Sequence, residues 1–411
     1  LEKESKIKIP ELVVPAGTME KLKIAVDYGA DAVYLSEKRF GLRHYAGNFD
    51  LNGLEKAVDY VKRNGKKLYL AVNVFCRNSH IKELKNLFRD ISSLGINALI
   101  ISDPGAVKIA REQVPHIPIH LSTQSNTTNL ESVKFWADNG IKRVVLAREL
   151  SSDEIHEITA DSGIEVEIFV HGALCISYSG RCYLSAYLEQ RESNLGMCSQ
   201  PCRRQYYLME KESDKYIPIE LEPDATYLFN PKDLCLIDYL PRIVEMGVDA
   251  VKVEGRMKTA YYVACVTRIY REALDLLKSD NEKYNEYLPL WRKELEKISN
   301  RDYTCGFFAG TLPENIVKKE GKYIQNYKFL GIIDKNEGCE FIIDPKSTIQ
   351  TNDDIEVIGP FRKNDRNVKI LEILRDGMKV DCAHPNQIVM VRTDSTVKAG
   401  EILRKPIKEG E

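Results

Sequence analysis

Residues Glu167–Ser185 read EIFVHGALCISYSGRCYLS. The first half is an apolar run that ends at His171-Gly172. The second half sets Cys175 and Cys182 apart by six residues, with Gly180 between them. Apolar and β-branched residues on nearly every position are what a parallel strand buried on both faces requires. This run begins just after Gly163, and the same punctuation recurs: a helix-like stretch, a glycine, then an apolar run. It appears at Gly29 (ADAVYLS), Gly65 (KKLYLAVNV), Gly95 (INALIISD), Gly140 (IKRVVLARE) and Gly247 (VDAVKVEG). A glycine closes the last turn of a helix in the left-handed region at no steric cost. Two further runs, ELVVPAG from Glu11 and PIHLST over Pro118–Thr123, bring the strands to eight, six of them preceded by helical stretches such as Leu54–Asn64 or Leu130–Asn139.

Eight β/α units in one chain predict an α/β fold, a closed (β/α)8 TIM-like barrel. The alternative, a doubly wound sheet, lacks its usual GxGxxG phosphate loop. About eighty residues separate the seventh and eighth strands, so the cysteine-bearing stretch is read as an insertion after strand seven. It leaves the carboxyl end of that strand, the end where barrel chemistry sits. After strand eight, Thr259–Ser279 and Tyr284–Ile298 read as helices, and NRDYTCGFF with the polar tract to Tyr327 reads as a linker. From Lys328 the pattern becomes short alternating runs (FLGIID, CEFIID, DDIEVIG, VKILEIL, QIVMVRT, EILRK), which predict a small C-terminal antiparallel β-barrel domain. The expected division is a barrel over 1–307 with a Cys-rich insertion at 173–228, a linker at 308–327 and an accessory domain at 328–408.

Composition sets the outer limits. The chain of 411 residues is 43% hydrophobic and 29% charged, with a net charge of −2. Such a balance gives the whole molecule no nucleic-acid footprint, so any RNA contact falls to a local patch. No run approaches the roughly 18 apolar residues of a membrane span. The start at Leu1, with neither Met nor an apolar leader, argues against a retained signal peptide. Ten unevenly clustered cysteines suit ligands in a reducing compartment better than a disulfide scaffold. The expected location is cytoplasmic.

Polar residues at the carboxyl tips of barrel strands face one bowl. The set is Ser36, Asn73, Asp103, Ser122-Thr123-Gln124, Arg148-Glu149, His171 and Lys252-Glu254-Arg256. Lys252, Glu254 and Arg256 alternate, so they share one side of strand eight and suit an anionic substrate. His171 is read either as an acid or base or as a hydrogen-bonded structural residue. Lys232 and Asp233, in NPKDLC, are placed within reach of the bowl. Cys175, Cys182, Cys198 and Cys202 lie in turn-like, glycine-rich context rather than on apolar stripes, and are read as soft-metal ligands. Cys235, in DLCLIDYL, is read equally as a ligand or as part of an apolar helix face. Structural zinc pairs are usually spaced C-x2-C to C-x4-C; the wider C-x6-C leans toward an iron–sulfur cluster.

The pattern E-x-F-x-x-G-A-L-C-x4-G-x-C-x-L-S over Glu167–Ser185 resembles the signature of the collagenase-like peptidase family U32. PAG at Pro15–Gly17, GADAVYLS, NPKDLC, K-x-E-G-R at Lys252–Arg256 and NRDYTCGF extend the likeness from about Glu11 to Phe307. The family is named for a peptidase annotation, and a few members are described as collagenases. Other members are hydroxylases: one branch makes 5-hydroxyuridine at the tRNA wobble position, another hydroxylates a ribosomal RNA cytidine, and another acts in ubiquinone synthesis. The resemblance implies a four-iron four-sulfur cluster and, in the RNA-modifying branches, prephenate as hydroxyl donor. Cys175, Cys182 and Cys198 match its cluster ligands, with Cys235 as the fourth and Cys202 as the alternative. Length and the C-terminal domain most resemble the tRNA-hydroxylating branch. The expected catalytic set is then His171, Glu254, Lys252 and Arg256, with Asn73, Gln124, Tyr178, Arg181, Lys232 and Asp233 toward tRNA or a small dicarboxylate donor. The competing expectations are a metal-dependent peptidase with structural zinc, a ribosomal RNA hydroxylase, and an RNA-binding module using Lys363, Arg366 and Lys369.

Overall fold

The structure is a computed structural model that describes residues 8–41, 47–175, 177–203, 232–309 and 324–407. Strands β1 (Glu11–Pro15), β2 (Ala32–Ser36), β3 (Lys67–Val72), β4 (Ala98–Ile101), β5 (Ile119–Leu121), β6 (Arg143–Val145) and β7 (Glu165–Ala173) run parallel in chain order around a barrel. After a short β8 (Asp233–Cys235), β9 (Ala250–Val253) closes the ring by pairing in parallel with both β7 and β1. The eight parallel strands are the eight runs expected from the sequence, six of them led by a glycine. All six of those glycines have positive φ, from +65° at Gly65 to +108° at Gly29.

The outer helices are α1 (Met19–Asp27), α2 (Leu51–Arg63), α3 (Ile81–Ile91), α4 (Pro104–Gln113), α5 (Leu130–Asp138) and α6 (Ser152–Asp161), followed by a short α7 (Leu184–Glu189), α8 (Leu240–Glu245), α9 (Ala260–Ser279) and α10 (Asn281–Glu296). Their starts are written locally. Thr18, Asp50, Asp103, Asn129, Ser151 and Thr259 each accept a first-turn backbone N–H, satisfying a donor that the helix itself leaves orphaned.

The sequence reading missed β8. It lies antiparallel on the end of β7, with His171 opposite Cys235 and Ala173 opposite Asp233. A two-residue β10 (Tyr303–Thr304) then lies parallel on β8. The residues around Cys235 therefore form a strand rather than an apolar helix face, and NRDYTCGFF belongs to the barrel sheet rather than to a linker. Most of the remaining linker, 310–323, and much of the cysteine insertion, 204–231, lie outside the described residues.

The last part of the chain forms β11 (Tyr327–Ile332), β12 (Lys335–Glu337), β13 (Glu340–Ile343), β14 (Ile349–Gln350), β15 (Asp354–Ile358), β16 (Arg366–Arg375), β17 (Met378–Val380), β18 (Cys382–Ala383), β19 (Val389–Thr393) and β20 (Ile402–Pro406). The main sheet is antiparallel, in the order β11-β20-β15-β16-β19-β13-β12, and wraps a core that includes Leu330, Phe341, Val357, Ile370 and Leu403. This domain docks on the outer helices. Tyr28 Oη donates to the carbonyls of Ile358 and Gly400 at 3.1 and 3.2 Å. Glu294 of α10 accepts from Arg268 at 2.9 Å and from Arg404 at 2.9 Å. Arg366, one of the three basic residues of the RNA-binding alternative, pairs with Glu401 at 2.6 Å. No helix among the described residues is long and apolar enough to cross a membrane.

Candidate active site at the barrel mouth

The barrel interior carries a charged column under its mouth. Glu11, Arg143, Glu167 and Lys252 sit on β1, β6, β7 and β9 and point inward. Arg143 bonds Glu11 at 2.9 Å and Glu167 at 3.0 Å, and Lys252 Nζ donates to Glu167 at 2.7 Å. Glu167 is fully buried. Burial alone would push its carboxyl up, but the Lys252 and Arg143 charges outweigh that and hold its pKa at about 2. Burial drives His120 down to about 3, reinforced by Arg143, so this imidazole beside Tyr69 stays neutral. The sequence offered a faint sign of the column: a single charged residue within each of several otherwise apolar strands.

Above the column lies a narrow cavity of about 40 Å³, lined among others by Tyr34, Asn73, Gln124, Phe169, Glu254 and Arg256. That is room for a water or two. Lys252 forms its floor, with its ammonium 4.5 Å from the centre of the Tyr34 ring. Tyr34 Oη bonds Glu254 Oε2 at 3.3 Å, and Asn73 Nδ2 donates to Gln124 Oε1 at 3.2 Å. The expected residues Asn73, Gln124, Lys252, Glu254 and Arg256 therefore meet at one place. Amide, carboxylate and guanidinium groups around a small hollow suit a compact polar ligand bearing carboxylates.

The exit of β7 is pinned across this mouth. Arg148 donates to the Ala173 carbonyl and to Ser179 Oγ, both at 2.7 Å, and stands 3.6 Å from Cys175 Sγ. Gly180, at φ +77°, lies so close to Gln124 that an added Cβ would stand 3.0 Å from its Cγ. The Arg181 guanidinium rests 5.0 Å from the centre of the Phe75 ring. The start of the insertion thus lies against Gln124, one wall of the hollow, and Tyr178 is exposed.

Other expected residues lie elsewhere. A register irregularity between Phe169 and His171 turns His171 away from the face that Phe169 shares with the mouth, as a bulge does. His171 packs among Tyr262, Tyr270 and Tyr303, and its Nδ1 is 3.4 Å from Tyr270 Oη. Burial lowers its pKa to about 3, so it is a neutral imidazole behind the sheet. Asp233 is equally deep, bonded to Arg301 at 2.5 Å and 3.7 Å from Lys258. Lys232, next to it, is half-buried.

Of the cysteines, Cys175 is exposed, while Cys182, Cys198 and Cys202 are half-buried around α7. Cys235 is buried in β8, its sulfur 3.9 Å from Tyr270 Oη, and burial pushes its thiol up to about 12. None of the cysteines among the described residues is in a disulfide. No group of three or more His, Cys, Asp or Glu among the described residues could hold a metal ion as they stand. Among the described residues the thiols are thus not drawn together into a four-thiolate cage in this structure.

Fold and mouth together define a (β/α)8 barrel protein whose cysteine-bearing insertion lies at the carboxyl end of the barrel. The chain belongs to peptidase family U32: the family profile matches residues 17–318, and that of the family's C-terminal domain matches 325–404. It is 37% identical over 403 residues to "tRNA hydroxylation protein P1" of Bacillus subtilis, covering 97% of this chain and 95% of that one. It is 35% identical to "tRNA hydroxylation protein P" of Escherichia coli, covering 85% and 86%. A "Collagenase" of Porphyromonas gingivalis is 34% identical, covering 73% of each chain.

Proposed function

We propose that this protein is an enzyme that hydroxylates uridine at the tRNA wobble position, forming 5-hydroxyuridine with prephenate as the hydroxyl donor. The observation that carries this is the near end-to-end similarity to the Bacillus subtilis tRNA hydroxylation protein, which spans both the barrel and the C-terminal domain. The convergence of Asn73, Gln124, Glu254 and Arg256 above Lys252 supports a pocket for a small polycarboxylate. Because Glu167 already neutralises Lys252, the donor's carboxylates fall to Arg256 and to Arg181 on the insertion. At about 40 Å³ the hollow is too small for such a donor as it stands, so binding requires its lining side chains to move apart.

The finer part of the proposal is a four-iron four-sulfur cluster on Cys175, Cys182 and Cys198, with Cys235 or Cys202 as the fourth ligand. Such a cluster would supply redox chemistry that peptide hydrolysis does not need. Its support is the order of the motifs, with none of these thiols in a disulfide. Taking up Cys235 would require its buried thiol to leave Tyr270, whereas Cys202 already lies on the insertion.

Nucleoside mass spectrometry of tRNA from a deletion strain is the test. Loss of wobble 5-hydroxyuridine derivatives, restored by the gene, is expected; an unchanged profile in a strain without a paralogue refutes the proposal. Iron and sulfide analysis of anaerobically prepared protein tests the cluster, with Cys175→Ala as control and Cys202→Ser against Cys235→Ser to assign the fourth ligand. Zinc without iron or sulfide would favour the peptidase alternative that the Porphyromonas gingivalis relative's name raises.

A further inference from the structure

The described part of the insertion has an unusual outer face. Between 177 and 202 its exposed side chains are Tyr178, Arg181, Tyr183, Tyr187, Leu188 and Gln190. Tyr183 is 83% and Tyr187 85% exposed. A tyrosine ring gains from burial, so two held almost wholly in water call for a partner. The two are four residues apart and share one side of α7, where Tyr187 N–H donates to the Tyr183 carbonyl at 2.8 Å.

This face is held in place. Ser185 Oγ accepts the Ser199 N–H at 3.0 Å, and Arg191 Nε donates to the Met197 carbonyl at 3.0 Å. Arg77 of the loop after β3 grips Glu192 at 2.6 Å. The two carboxylates of the stretch near α7, Glu189 and Glu192, are half-buried and ion-paired to Arg191 and Arg77, so the exposed side chains among the described residues of this stretch include rings and a guanidinium but no carboxylate. Through Gly180 and Arg181 it adjoins Gln124 and Phe75 at the mouth.

We propose that Tyr183 and Tyr187, flanked by Tyr178 and Arg181, form a stacking platform for the unpaired bases of a single-stranded RNA loop. The platform would hold the nucleotide next to the modified base beside the barrel mouth. This rests on the tRNA substrate proposed above. Rings bind any base through its π-face. An RNA duplex hides its bases in its stack, whereas a loop splays them out for aromatic side chains and guanidinium planes. The lack of exposed carboxylate suits a polyanion. With a whole-chain net charge of −2, affinity must come from a local surface of this kind rather than from the overall field.

The experiment measures anisotropy of a fluorescein-labelled RNA hairpin with an unpaired loop on the full-length protein, with an RNA duplex of equal length as control. Stacking is lost at about fivefold to a hundredfold per base on alanine substitution. The Tyr183→Ala/Tyr187→Ala variant should weaken hairpin binding at least tenfold. Tyr183→Phe/Tyr187→Phe, which keeps both rings, should bind within about twofold of wild type. The log–log salt slope should stay unchanged in the alanine variant and fall in Arg181→Ala if that guanidinium meets a phosphate. Both tyrosines are surface residues, so circular dichroism should match wild type in every variant. Wild type and the alanine variant binding the hairpin equally overturns the platform and leaves the tRNA substrate standing, whatever protein that face then retains. Wild type binding neither RNA overturns the tRNA substrate and the platform together.

Discussion

Replacing Glu167 with Gln tests the charged column directly. Glu167 is fully buried and accepts from both Arg143 and Lys252. The substitution leaves the Lys252 ammonium buried with two aromatic faces and no carboxylate, since its neighbours on that side are the Tyr34 and Phe169 rings. Breaking a buried pair by removing one partner costs about 3–5 kcal/mol, because the other charge stays out of water. A second route gives a similar size. The carboxyl is held at about 2 against an ordinary 4.5, which corresponds to about 3 kcal/mol of linked stability. A depressed carboxylate contributes stability that is complete above its unfolded pKa, about pH 4.5, and is lost as pH falls toward 2. Urea unfolding should therefore show Glu167→Gln less stable by about 3–5 kcal/mol at pH 7, with a shallower decline below pH 5 than wild type. Glu167→Leu/Lys252→Met, which removes both charges, should recover much of the loss. A single variant within about 1 kcal/mol of wild type, or a double variant no better than the sum of its singles, would refute the column's role.

Three further outcomes follow from the same geometry. Gly172→Ala should cost at least about 2 kcal/mol, read by thermal unfolding, since Gly172 has φ +111° and its added Cβ would stand 2.3 Å from the Glu254 carbonyl oxygen. Arg148→Met removes the donors to Ala173 and Ser179. Tryptic cleavage after the exposed Arg181 should then speed up at least about tenfold, because each charge-assisted bond is worth about 1.5–3 kcal/mol. Glu294→Gln should uncouple the domains. It takes the shared carboxylate from Arg268 and Arg404, one that these cations and Lys297 hold at about 2 against the upward push of burial, and calorimetry should resolve a separate, earlier transition of the C-terminal domain.

The sequence shows the barrel well because its evidence is repeated and local. Each strand is a run buried on both faces, and each preceding helix ends where only glycine fits cheaply, as at Gly29 and Gly247. The same periodicity misses β8, since three residues, Asp233 to Cys235, carry no alternation. That strand exists because β7 runs on beyond the barrel and offers an unpaired edge. His171 is expected at the mouth because it is a polar residue at the carboxyl tip of its strand, and the irregularity after Phe169 moves it to the opposite face. The positive φ of Gly172 is the one local trace of that bend. The column was harder still: Glu11, Arg143, Glu167 and Lys252 are ordinary charges in four separate strands, and only barrel closure makes them neighbours. Asn73, Gln124, Glu254 and Arg256 were legible because strand tips converge in any barrel. The cysteines could be grouped by spacing, but spacing does not fix whether Cys202 or Cys235 faces the other three.

These features distinguish the barrel floor from the insertion beside it. The column beneath the mouth is internally balanced, so the floor is rigid and offers no unspent charge to a ligand. The C-terminal domain is fixed to α1, α9 and α10, on the outside of the barrel, where it adds nothing to the lining of the mouth. Beside the mouth, Arg148 holds Ala173 and Ser179, while Gly180 and Arg181 rest on Gln124 and Phe75. A site needs its reacting groups fixed within a fraction of an ångström, yet it must first admit its ligand. A short segment beside the mouth, with one strong anchor and one weak contact, meets both demands.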